Sequence, residues 1–119
     1  MAIPQWAQEL TLKALIHCTV DDVPVIRWRR SQGQTSSGTC FRDKKLGFVV
    51  TAGRNRTDAK LVLLHELAHW LRPAGECHGD AFWDLAWNLY RWAKLPVRYC
   101  LSREKNYRKG AVLAYKRSK

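Results

Sequence analysis

The spacing in His65-Glu66-Leu67-Ala68-His69 constrains this chain more than any other feature, because it sits in a run of helix-compatible residues from Ala59 to Leu71. Side chains four positions apart share one face of a helix. Both imidazoles can therefore reach a single zinc ion, and the glutamate between them is placed to act as general base in metal-assisted hydrolysis. Thr57-Asp58 precede the run and are expected to cap its start. Pro73 and Gly75 are expected to end it.

Two histidines do not complete a zinc site, since catalytic sites generally use three protein ligands and leave one position open to water. Downstream candidates are Glu76, Cys77, His78, Asp80, Asp84 and Glu104. His78 leads them. It follows His69 across a Pro- and Gly-containing loop and stands at the start of the next apolar-periodic segment, from where a returning helix can offer its imidazole to the first.

The remaining chain is consistent with one domain over residues 1–119, with a basic C-terminal segment at 97–119. Hydrophobic residues make up 46%, with six Trp, enough for a real core. No stretch has the apolar length of a membrane span. The opening Met1-Ala2-Ile3-Pro4-Gln5-Trp6 lacks a basic leader and an apolar block, which predicts a cytoplasmic protein. Cys18, Cys40, Cys77 and Cys100 form no C-x-x-C pair, which argues against a zinc ribbon or redox dithiol. They read as small buried residues, with Cys77, beside His78, the one to watch.

The net charge of +11 is unevenly spread. Residues 61–90 hold one basic and four acidic side chains, whereas residues 91–119 hold ten basic and one acidic. A dication would offset the acidic centre. The basic flanks suit a polyanion, with Arg27, Arg29, Arg30, Arg98, Arg103, Arg108 and Lys109 as candidate nucleic-acid contacts. A solubilising surface is the plainer account of the same charges.

Periodicity predicts an amphipathic helix over Gln5 to His17 and a strand over Val23 to Arg29. A Ser/Gly/Gln/Thr loop follows, then a strand beginning at Cys40-Phe41, a polar turn at Asp43-Lys44-Lys45 and a strand over Leu46 to Ala52. A second long helix is expected from about Gly79 to Leu95, ended by Pro96. On it Trp83, Trp87 and Tyr90 form an aromatic stripe, read as core packing or cover over the N-terminal helix, with a base-stacking platform as the alternative. The 97–119 segment is expected to be helical from Ser102 or partly disordered. Together these give an α+β domain with an N-terminal helix, a short antiparallel sheet of about three strands and two long helices.

The pair His65-Glu66-Leu67-Ala68-His69 and His78-Gly79-Asp80-Ala81-Phe82 resembles the H-E-x-x-H, loop, H-G-x-x-F pattern of the SprT-like zinc metallopeptidases. That family includes the Spartan proteases and small metallohydrolases of bacteria and phages, and the resemblance covers Val23 to Leu95. It implies a small zincin-like domain, one zinc per chain held by His65, His69 and His78, and Glu66 as catalytic base. It also implies Phe82 as the aromatic that packs the second helix beneath the site, and action on proteins attached to DNA. The chain departs from the pattern in carrying Asp80-Ala81 where relatives often have Pro-Glu, and it lacks the cysteine-rich ribbon that some members add. With no methionine after Met1, the Met-turn of metzincins is excluded.

The expected activity is therefore hydrolysis of peptide bonds by metal-activated water, with a protein or peptide substrate and DNA as a further partner through the basic flanks. Leu46 to Ala52 is expected to lie along the cleft and to accept a substrate segment as an added strand. Asp80 and Asp84 are candidates to orient a ligand imidazole, and Arg72, Tyr90 and Tyr99 to stabilise an oxyanion. Two alternatives stay open. One is a nucleic-acid-binding module whose zinc site is structural or silent, closed by Cys77 as fourth ligand. The other is a zinc hydrolase acting on a non-peptide amide.

Overall fold

A computed structural model describes residues 2–72, 78–104 and 108–117 of the chain. Helix α1 (Gln5–His17) leads into three strands, β1 (Ile26–Arg30), β2 (Ser37–Cys40) and β3 (Phe48–Ala52). Four helices follow: α2 (Arg56–Leu71), α3 (Asp80–Trp92), α4 (Val97–Arg103) and α5 (Arg108–Arg117). The class is α+β. Among the described residues no helix is long and apolar enough to cross a membrane.

The sheet is mixed, not antiparallel as expected. Its order is β1-β3-β2, with β2 antiparallel to β3 and β1 parallel to it, in register from Ile26↔Phe48 to Arg30↔Ala52. The reason lies in the connections. Between β2 and β3 a tight turn closes the hairpin: the Asp43 side chain accepts from the Lys45 amide, and Gly47 takes φ 68°. Between β1 and β2, residues 31–36 reverse direction while leaving a gap one strand wide, which β3 fills. The gap spans about two strand spacings, roughly 9–10 Å, too wide for a two-residue hairpin. This loop is tied to the strand it encloses, with Ser31 N donating to Ala52 O at 2.8 Å and Arg54 N to Gly33 O at 2.9 Å.

As the central strand, β3 buries Phe48, Val50 and Ala52 in alternation. Helix α2 packs on β2 and β3 with one side and meets α1 and α3 with others, so it is buried on more than one face. Its start differs from the expectation. Asn55 is the N-cap, its side chain accepting from the Asp58 amide. Asp58 itself is fully buried, at 0% exposure, and accepts from Ser36 N, Tyr99 Oη and Arg103 Nε.

Helix α3 ends at Trp92, earlier than expected, where Lys94 turns the backbone into the left-handed region at φ 59° before Pro96 opens α4. Trp83, Trp87 and Tyr90 are all buried. The stripe is core, and its partner is α5 rather than the N-terminal helix: Trp87 Nε1 donates to Ala111 O at 2.9 Å, and its ring lies 5.3 Å from that of Tyr115. Helices α4 and α5 are thus folded cover. Ala111 and Ala114 are buried, and Arg117 pairs with Asp84 at 2.7 Å. Cys100 is buried, whereas Cys18 and Cys40 are partly exposed; all three are free thiols. Cys77 lies outside the described residues.

Candidate metal centre

Helix α2 carries His65, Glu66 and His69, while His78 stands just before α3. The three imidazoles turn the same atom, Nε2, toward one point. His69 Nε2 is 3.1 Å from His78 Nε2, and His78 Nε2 is 3.3 Å from His65 Nε2. Among the described residues this is the one group of three His, Cys, Asp or Glu side chains placed to hold a metal ion.

The donor set fits zinc. Three nitrogens bound at about 2.0–2.1 Å on tetrahedral corners lie roughly 3.3–3.4 Å apart, close to the two separations found here. Neutral imidazoles are required, and the surroundings favour them. Burial, followed by the neighbouring His65 and His78, brings His69 down to about 3. Burial and His65 lower His78 as well. Phe82 stacks on His69 with ring centroids 4.1 Å apart and meets His65 and His78 edge-on, so it packs among all three rings.

The outer side of His65 is held by residues distant in sequence. Its Nδ1 lies 2.9 Å from Glu104 Oε1, which also accepts from Tyr90 Oη at 2.7 Å. A carboxylate on Nδ1 fixes the proton there and leaves the Nε2 lone pair for a metal. Glu104 was among the candidate ligands; its carboxylate instead lies against the outer nitrogen of His65. The role offered to Asp80 and Asp84 falls to it, since Asp80 is exposed and Asp84 is engaged by Arg117. Replacing Glu104 by Gln is expected to weaken zinc binding by about 10–100-fold. Competition with a chromophoric chelator measures this; unchanged affinity would show that Glu104 does not position His65.

Glu66 is 6% exposed. Burial pushes its carboxyl up to about 7, opposed by the nearby His65 and reinforced by the negative charge of Glu104. Strand β2 crosses directly over it. A Cβ at Gly38 would stand 2.6 Å from Glu66 Cγ and 2.9 Å from its Oε2, so the absence of a side chain at Gly38 makes room for this carboxylate. The strand expected along the cleft, Leu46 to Ala52, is instead the central one with both edges paired. The sheet edge beside Glu66 belongs to β2.

The other expected site residues fall elsewhere. Tyr90 is spent on Glu104 and Tyr99 on Asp58, and burial with the Asp58 contact pushes the Tyr99 hydroxyl up to about 12. Arg72 is exposed at the end of α2, where its charge acts on Cys18. Arg27, Arg29 and Arg30 are exposed on edge strand β1, on the opposite side of β3 from β2, and Arg98 is exposed on α4. Arg103 is committed to the interior: it pairs with Asp58 and donates to Ser36 O at 2.9 Å. The side chains of Arg108 and Lys109, and all of Glu76 and Cys77, lie outside the described residues. No protein-family model matches the chain, and no curated protein or solved structure matches it either.

Proposed function

We propose that this chain is a zinc-dependent metallopeptidase of the SprT-like kind, working in the cytoplasm on protein or peptide substrates that include DNA-associated proteins. The observation that carries the reading is the convergence of three histidine Nε2 atoms beside a buried glutamate that does not belong to the ligand group. His65, His69 and His78 would hold the ion. When bound, zinc supplies the Lewis acidity that brings a water's pKa near neutrality and polarises a carbonyl. Glu66 takes the water's proton and returns it to the leaving amine, as a general base that becomes a general acid. Its desolvated surroundings raise its affinity for that proton. Glu104 and Tyr90 hold His65 in the ligating tautomer throughout.

A structural zinc site is usually closed by four protein ligands. Glu66, buried beside the three histidines and outside their group, is a base that a silent site has no use for, which favours the catalytic reading. The test is cleavage of an unfolded fluorescent protein by zinc-loaded material, with and without a strong chelator. Cleavage that the chelator abolishes and added zinc restores is the expected result. Zinc-loaded protein that cuts neither proteins nor peptides would remove the peptidase reading and favour a non-peptide amide or a binding module.

A further inference from the structure

His65 and His69 ride on the buried helix α2, but His78 stands in the turn before α3 and belongs to no helix. Its imidazole is therefore placed by what packs against it. The Trp83 indole lies stacked on the His78 ring, with centroids 5.7 Å apart and planes 29° apart, and meets His65 edge-on at 6.0 Å. Trp83 N donates to Gly79 O at 3.1 Å, which ties its backbone to the residue that follows His78. At 1% exposure the indole is enclosed, and the Phe82 ring lies 4.9 Å away.

One wall around the indole comes from α5. A Cβ at Gly110 would stand 3.0 Å from Trp83 Nε1, 3.1 Å from Trp83 Cδ1 and 3.8 Å from the His78 carbonyl oxygen. Glycine is unfavourable inside a helix, yet here its bare backbone lets α5 seat against the ring. The helix is fastened further along, where Ala111 and Ala114 are buried, Trp87 donates to Ala111 O and Arg117 pairs with Asp84. A close-packed interior transmits displacement instead of absorbing it. Pushed from Gly110, the indole moves toward the rings it packs against, His78 among them. The C-terminal helices thus back two ligands, with Glu104 at the end of α4 on His65 and α5 acting through Trp83 on His78.

We infer that Trp83 is a positioning residue for the third ligand, His78, and that helix α5, seated through Gly110, is part of the metal centre. Zinc binding and docking of α5 then strengthen each other, since a coupling between two sites acts equally in both directions. Metal occupancy reports whether the C-terminal helix is docked. The inference rests on the three-histidine centre of the proposed function and does not need peptidase activity.

The test combines zinc affinity, by chelator competition, with hydrogen exchange of the α5 amides in the full chain. Gly110→Ala raises the intrinsic helix propensity of α5, yet it is expected to weaken zinc binding by about tenfold with little loss of stability in the metal-free protein. A merely structural role would lower that stability and leave zinc affinity alone. Trp83→Ala is expected to weaken zinc binding by about 10–100-fold. Trp83→Phe, which keeps a flat ring against His78, is expected to recover part of that loss. In the wild type, zinc is expected to slow exchange in α5 by a larger factor than in α1, which packs on α2. Should Trp83→Ala fail to fold, Gly110→Ala and the exchange comparison decide. Zinc held by Gly110→Ala as tightly as by wild type, or equal slowing in α1 and α5, overturns this inference alone. A wild-type protein that binds no zinc overturns the three-histidine centre along with it.

Discussion

Replacing Glu66 by Gln is expected to leave zinc bound and to lower turnover by about 10²–10⁴-fold. The two effects separate because Glu66 lies beside the three imidazoles without belonging to the ligand set. Glutamine keeps the shape of the side chain in the tight space beneath Gly38, so packing of β2 on α2 should survive. What it loses is the ability to take up and release a proton. Zinc content by mass spectrometry alongside kcat on a peptide substrate measures both quantities. Loss of metal together with activity would mean that Glu66 holds the site together; undiminished kcat would remove it as general base.

Asp58→Ala is expected to cost about 2–4 kcal/mol of stability, less than a fully buried ion pair broken from one side, because the Arg103 side chain keeps 31% exposure. Asp58 is fully buried and joins three parts of the chain: Ser36 before β2, and Tyr99 and Arg103 on α4. Its removal leaves the Ser36 amide and the Arg103 Nε without their acceptor. Arg103 immediately precedes Glu104, so loosening α4 also loosens the carboxylate that orients His65. Zinc affinity should therefore fall in the same variant, although Asp58 touches no ligand. Urea unfolding of the metal-free protein gives the first quantity and chelator competition the second. A stability change below about 1 kcal/mol would contradict the role assigned to this pair.

What the sequence made legible was local. Helix α1 has the bounds its apolar spacing predicts, and His65 and His69 share a helix face because a turn of helix dictates it. His78 was within reach of the same reasoning, being one short loop away. The parallel pairing of β1 with β3 was not, because strand order depends on how the 31–36 loop spreads β1 and β2, and no residue type in that loop encodes the gap. Asp58 has the composition and place of a helix cap, yet Asn55 does that work and Asp58 turns inward to Arg103. Glu104 reaches His65 across 39 residues and Gly38 opposes Glu66 across a strand-to-helix packing, contacts that tertiary structure alone creates. Arg103 looked like part of a basic surface because charge is visible in sequence and burial of its partner is not.

The metal content of purified wild-type protein, measured beside His78→Ala, tests the central claim most directly. One zinc per chain in the wild type, with binding lost or strongly weakened in the variant, is the expected result, because His78 Nε2 lies within 3.3 Å of both other ligand atoms. A wild-type protein that takes up no zinc even after reconstitution, or a His78→Ala protein that keeps it with full affinity, would contradict a three-histidine centre.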